Sequence, residues 1–174
     1  MFLKSLLSGV FILFTHIANS QTIDQSKSKV LFEIDNLSIR TVEGTLTGLS
    51  GEINFQETDL SKSYFNVCVD ANSINTENTK RDQHLKKEDF LQTNLFPSIC
   101  FKSKAIQKTD TSYWVDGELS LHGITLPISF PFTYTSKLFN ASFDIKRLDF
   151  GIGEDYGNFM VGEKISINIF CYIK

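Results

Sequence analysis

Positive charge is scarce and nowhere concentrated. Seventeen Lys and Arg stand against twenty Asp and Glu, a formal net charge of −3. A chain with no basic run lacks the electrostatic footprint of a nucleic-acid binder or of a protein that coats anionic lipid headgroups. Histidine is also sparse, with three residues. His16 falls in the leader described below and His122 in a hairpin turn, so the mature chain has no three-histidine zinc set. The three cysteines, Cys68, Cys100 and Cys171, match no metal-ligand spacing. An odd number of them is not the framework of a disulfide-built mini-domain. Apolar runs are short, and none approaches the ~20 residues of a spanning helix.

The first twenty residues carry one such run. Lys4 supplies a short basic start, Leu6 to Phe14 is largely apolar, and Ala18-Asn19-Ser20 places small residues before a cut ahead of Gln21. That is the pattern of a secretory signal. Residues 1–20 are therefore expected to be removed and residues 21–174 to be exported as one domain. The mature chain is long enough for a sizeable core.

What is abundant is period-two alternation, repeated about eight times. Val30, Phe32 and Ile34 alternate with polar neighbours. So do Phe65, Val67 and Val69; Val115, Gly117, Leu119 and Leu121; Leu126 to Tyr134; Phe139 to Ile145; and Ile165 to Ile173. Val42, Leu46, Ile53 and Phe55 mark a longer stretch, with a bulge or bend expected near Gly48 and Gly51. Tight turns between runs imply sequential antiparallel neighbours rather than βαβ crossovers. The apolar faces carry no Asp, Glu, Lys or Arg. The opposite faces carry Glu33, Asp35, Asp70, Asp116, Glu118, Asp144 and Lys146.

These features define an all-β chain whose expected fold is an eight-stranded antiparallel barrel, the alternative being a two-sheet sandwich, with a short helical insertion around residues 78–89. Strands of ~10 residues tilted by ~40° give a barrel ~25 Å tall, wide enough to be filled by its own side chains or to enclose one slender ligand. A packed core and a hollow lumen both need this apolar interior. In the hollow case the ligand-lining residues are Phe32, Ile34, Phe55, Val67, Val69, Phe90, Phe101, Leu119, Phe130, Phe132, Phe143, Ile165, Ile167 and Ile169.

At residues 77–103 the pattern becomes specific. The run ENTKRDQHLKKEDFLQTNLFPSICFKS resembles the signature of the YceI-like family, with Arg81, Asp82, His84, Leu85, Asp89, Phe90, Pro97 and Phe101 at the matching positions. Thr22-Ile23-Asp24, the stretch Ser73, Ile74 and Thr76, the hairpin Gly117 to Pro127, and Arg147 with Asp149-Phe150-Gly151-Ile152 agree in order. The resemblance spans essentially all of residues 21–174. It implies a lipocalin-like barrel of the bacterial periplasm that accommodates a polyisoprenoid or other long-chain lipid, with no cofactor besides that ligand and no assigned catalysis. The oligomeric state is not readable, a homodimer being one option.

Two sets of polar residues invite chemistry. Arg81, Asp82 and His84 lie together, but His84 lacks the second histidine of a zinc helix motif and any neighbouring nucleophile. Polar contacts that pin the insertion to the barrel mouth account for the group. In a weaker functional version, Arg81 and His84 meet a ligand head there. Asp149, Glu154, Asp155 and Glu163 lack the alternation of a calcium loop. The cysteines are read from parity. Cys68 and Cys100 both point away from the apolar faces of consecutive strands, where directly opposed Cβ atoms approach disulfide distance. Cys171 shares the inward parity of Ile165, Ile167 and Ile169. A Cys68–Cys100 bond with Cys171 free is the expectation.

Overall fold

The computed structural model describes residues 20–36 and 40–174. The leader and its expected cut thus lie outside the described residues, apart from Ser20. Within them the chain forms strands β1 (Lys29–Asn36), β2 (Arg40–Leu46), β3 (Ser50–Asn54), β4 (Tyr64–Asp70), β5 (Ser98–Lys108), β6 (Tyr113–Leu121), β7 (Ile124–Thr135), β8 (Leu138–Lys146) and β9 (Val161–Tyr172), with one helix, α1 (Thr79–Leu85). All pairs are antiparallel, in the order β2-β1-β9-β8-β7-β6-β5-β4-β3. Alternation is visible in the burial of β6, where Tyr113, Val115, Gly117, Leu119 and Leu121 face inward. No helix among the described residues is long and apolar enough to cross a membrane.

The strand count is nine rather than eight, because the second apolar run is cut in two. At Thr47–Leu49 the chain leaves the ladder, and Gly48 takes a φ of 77°, a left-handed conformation that costs glycine nothing. The half before the bend pairs with β1 and the half after it with β4, so one stretch of chain borders both edges of the curled sheet. The seam is tied beside the bend. Thr45 bridges Asn75, Asp70 N–H donates to Thr47 O (3.2 Å), and Thr47 N–H donates to Ser73 Oγ (2.8 Å). These bonds satisfy edge groups that would otherwise be open to other chains.

The helical insertion is also shorter than the expected 78–89. Asn78 caps α1 by accepting from Arg81 N–H (3.1 Å), but the helix ends at Leu85 and the chain turns repeatedly to Phe96, with Gln92 at a positive φ of 45°. Apolar residues drive this ending. Phe90 must be buried, and Leu91 N–H returns to Leu85 O (3.0 Å), which folds the segment back on itself.

The interior divides into two halves. One end is filled by rings: Phe55 meets Tyr113, Tyr134 and Phe139 edge-on at 5.0, 5.3 and 5.3 Å, and Phe65 meets Phe132 and Phe139 at 5.3 and 5.5 Å. Edge-to-face contacts of this kind add ~0.5–1.5 kcal/mol per pair beyond burial. The other end is not filled.

Cys68 and Cys100 stand directly opposite each other on β4 and β5 and are bonded; Cys171 is a buried free thiol. The bonded pair is half-buried and borders the unfilled end, rather than standing clear on the outer face. Burial pushes the Cys171 thiol up to about 12, despite the hydrogen bond with Ser28. In the folded, unreduced protein no cysteine should react with iodoacetamide. After denaturation without reductant, peptide mapping should find label on Cys171 alone. Label on Cys68 or Cys100 would contradict the bond.

Candidate functional site

The unfilled end is a cavity of about 660 Å³. Its wall is built by the inward faces of β1, β2, β4, β5, β6, β8 and β9. Phe32, Ile34, Val67, Val69, Phe90, Phe101, Leu119, Phe143, Ile165, Ile167 and Ile169, all expected in the lumen, line it. Three others do not. Phe55 and Phe132 belong to the ring-filled end, and Phe130 lies behind Phe143, stacked on it at 4.2 Å and 15°. The reason is length: the eight-stranded reading treated the lumen as uniform, whereas the aromatic residues concentrate at one end and close it. Glycine sets the width elsewhere. A Cβ on Gly44 would run into the Phe32 ring, and one on Gly117 into the Phe101 ring and the Lys102 carbonyl. Both rings therefore lie across bare backbone.

The mouth carries the polar groups. Arg81 and His84 line it as expected, joined by Asn36, Asn78, Lys80, Tyr156 and Met160, and by Asp35, which the alternation had put on an outer face. Arg81 donates from Nε to Thr76 Oγ1 (2.7 Å) and from Nη2 to Thr76 O (2.7 Å). Asp82 accepts from the Thr76 amide (2.9 Å) and hydroxyl (2.5 Å). One buried threonine thus anchors both Arg81 and Asp82 of α1. His84 turns the other way: its Nε2 lies 2.7 Å from Asp89 Oδ2, which also accepts from Tyr156 OH (2.9 Å). These three side chains fasten the helical segment to the 151–160 loop, helped by Gly153 N–H donating to Asp89 O (2.8 Å). His84 engages structural partners, and among the described residues no group of three His, Cys, Asp or Glu side chains is placed to hold a metal.

Arg147 holds the same loop from inside. It is fully buried, yet all its partners are amide or backbone oxygens. Nε donates to Gly162 O (3.0 Å), Nη1 to Ile152 O (2.8 Å) and Gly153 O (2.5 Å), and Nη2 to Tyr156 O (2.5 Å), Val161 O (3.1 Å) and Asn158 Oδ1 (3.3 Å). Burial lowers its pKa, partly countered by the charge of Glu163, but a guanidinium stays protonated in any protein. The residue was legible as part of a motif; its fan of carbonyls, drawn from three positions of an irregular loop and the first two of β9, was not.

The latch is acid-sensitive in a defined direction. Burial alone would raise the Asp89 pKa, but hydrogen bonds from His84 and Tyr156 outweigh it and hold the carboxyl below its usual 3.8. A depressed carboxyl contributes stability that is present above the unfolded pKa and is lost as pH falls through the folded one. The pair is partly exposed, so the increment is small, about 1 kcal/mol or less. Thermal melts should therefore show the wild type losing stability relative to Asp89→Asn as the pH falls below the ordinary carboxyl value of 3.8. His84→Ala should cost about 2–4 °C at neutral pH. Parallel pH profiles for wild type and Asp89→Asn would remove the latch.

An antiparallel sheet curled around a one-ended apolar cavity, with a polar mouth, defines a lipocalin-like barrel. The YceI-like domain model matches residues 21–171, and the chain belongs to that family. Among curated relatives, Protein YceI of Salmonella newport is 30% identical over 165 residues, covering 88% of this chain and 86% of its own. A UPF0312 protein of Shewanella denitrificans is 27% identical over 179 residues, covering 95% and 94%. Among solved structures, BcnA of Burkholderia cenocepacia superposes with a TM-score of 0.78 at 21% identity, over 86% of this chain and 98% of that one. A polyisoprenoid binding domain from Saccharophagus degradans, implicated in plant cell wall breakdown, gives 0.68 at 14%, over 88% and 97%. At these identities the structural likeness speaks for the fold.

Proposed function

We propose that the protein binds a long apolar lipid, a polyisoprenoid or fatty amphiphile, in the barrel cavity, carries or stores it in the periplasm, and catalyses nothing. The observation that carries this reading is the cavity itself, at about 660 Å³ and walled by aliphatic and aromatic side chains. That volume lies within the ~300–1,000 Å³ of ligand pockets, and apolar walls with a few convergent polar groups are their usual lining. Burying ~400 Å² of hydrocarbon would contribute ~10 kcal/mol before ordering costs. Arg81, Lys80 and His84 at the mouth suit a hydroxyl, carbonyl or anionic head left near water. Periplasmic residence is supported by the leader pattern and by a disulfide, which persists in oxidising compartments. The non-catalytic reading is supported by His84, whose partners at the mouth are the latch residues Asp89 and Tyr156.

Native mass spectrometry of protein isolated from its own host, followed by solvent extraction, tests this. A co-purifying chain-like lipid, displaced by the substitutions described in the Discussion, is the expected result. A clean ligand-free mass under gentle conditions, together with no uptake of a fluorescent polyene fatty acid, would overturn it.

A further inference from the structure

The barrel wall is not uniformly knit. β7 pairs with β6 along the whole stretch from Ile124 to Phe132, and β8 pairs with β9 from Leu138 to Lys146. Between β7 and β8, however, the ladder runs only from Phe132–Ala141 to Thr135–Leu138. Beyond that point Ile124–Pro131 and Ser142–Lys146 face each other without backbone hydrogen bonds. Sequence supplies the cause. Pro127 and Pro131 have no N–H, and lying four apart they present that loss on one side of the strand. Since the β6 ladder is intact across both, the missing donors lie on the β8 side.

The split coincides with the cavity. The zipped part of the β7–β8 seam lies beside the aromatic filling, where Phe132, Tyr134 and Phe139 meet. The unzipped part lies beside the hollow half, where Phe143 and Ile145 line the cavity. Outside it is a second cleft of about 430 Å³, with Leu126, Ile128, Ile145 and Phe150 in its lining. Ile145 belongs to both spaces, so the wall there is one side chain thick. The seam is held by side chains: Phe130 on Phe143 at 4.2 Å and, at its far end, the contact of His122 Nδ1 with Phe150 O at 2.9 Å. By contrast, the mouth is framed by the bonds of Arg147 and by the Asp89 latch.

We propose that the β7–β8 split is a side portal, the route by which the hydrocarbon part of a lipid ligand enters and leaves the cavity. Opening it separates apolar side chains and releases the His122–Phe150 contact, but breaks no ladder. The other adjacent strands are laddered beside the cavity, and the two edges, β2 and β3, are tied across their seam by the Thr45–Asn75 and Asp70–Thr47 backbone bonds. A slender chain passing sideways also keeps apolar contact along its length, which a chain drawn end-first through the polar mouth would exchange for water. This inference rests on the lipid-binding reading of the cavity and adds the path to it.

Pro127 and Lys146 both border the outer cleft, on opposite sides of the split, and neither lines the cavity. The double variant Pro127→Cys with Lys146→Cys can be joined by a short bifunctional maleimide. The native disulfide and the buried Cys171, its thiol raised to about 12, do not compete. The probe is cis-parinaric acid, read by fluorescence. Equilibrium affinity reports on the cavity, and release into excess phosphatidylcholine vesicles reports on the path. Joining the strands is expected to slow release by about tenfold or more relative to the unjoined variant, which itself regains one seam donor at residue 127, with affinity unchanged. Unchanged release at preserved affinity would overturn the portal while leaving the binding reading intact. Absence of binding in the wild type would remove both. Should the join itself abolish binding, Pro127→Thr with Pro131→Thr, which restores two donors to the seam, is expected to slow release; release at the wild-type rate would sink the portal.

Discussion

Replacing Arg147 with methionine is expected to lower the unfolding free energy by about 3–5 kcal/mol, the range for removing one partner from a buried charged network. Methionine fills much of the same volume, so the loss comes from oxygens rather than from a void. The carbonyls of Ile152, Gly153 and Tyr156 lose a donor in a loop with no ladder of its own, and those of Val161 and Gly162 lose one where β9 begins. Each orphaned polar group costs ~1–3 kcal/mol if it stays buried, and the loop will move to hydrate some of them. For a domain of this size the expected fall in melting temperature is roughly 10 °C. Arg147→Lys should recover less than half of it, because an ammonium offers three donors from one point where the guanidinium fans five across a plane. The consequence reaches the cavity, since Ile152, Tyr156, Met160 and Val161 line its mouth. Urea melts and limited proteolysis check this together: cleavage should appear between residues 151 and 161 before the strands unfold. A loss below about 1 kcal/mol would mean the loop is held by something other than Arg147.

The parts of this molecule that were legible in the sequence are those written in short-range periodicity. Alternation along Val115, Gly117, Leu119 and Leu121 marks an inward face because side chains in a strand change sides at every residue. The same parity put Cys68 and Cys100 on one side of neighbouring strands. Parity says nothing about depth, however. Phe132 and Phe143 read alike, yet one closes the aromatic end and the other lines the cavity, because their depth depends on register along the barrel axis. The division of the 42–55 run was blurred for a related reason: a glycine bend predicts a change of direction, not that the two halves will pair with opposite edges of one sheet. The carbonyl contacts of Arg147 and the Asp89–Tyr156 contact were out of reach. They join positions through irregular loop backbone, where no period links sequence to space.

Tryptophan at Val67 or Ile167 is expected to empty the cavity of ligand while leaving the barrel standing. Both residues line the cavity, on β4 and β9, and neither belongs to the ring-filled end. In a close-packed interior such an enlargement overpacks and costs ~1–3 kcal/mol. Here the indole has space to occupy, so stability should fall by less than about 1 kcal/mol. Binding pays instead. Displacing ~100 Å² of hydrocarbon contact removes ~2.5 kcal/mol, close to a hundredfold in affinity, and the double variant should show no measurable uptake. Phe132→Ala supplies the opposite case. Phe132 is buried among Phe55, Phe65 and Tyr113, so its truncation should cost ~3–5 kcal/mol of stability. The folded fraction should still bind, since the wall of the hollow half is untouched. Chemical denaturation and titration with a fluorescent polyene fatty acid, on the two single variants, the double variant and Phe132→Ala, separate the two halves of the barrel. If Val67→Trp and Ile167→Trp together bind with wild-type affinity, the lipid does not occupy this cavity. If either alone destabilises as severely as Phe132→Ala, the space is not open in solution.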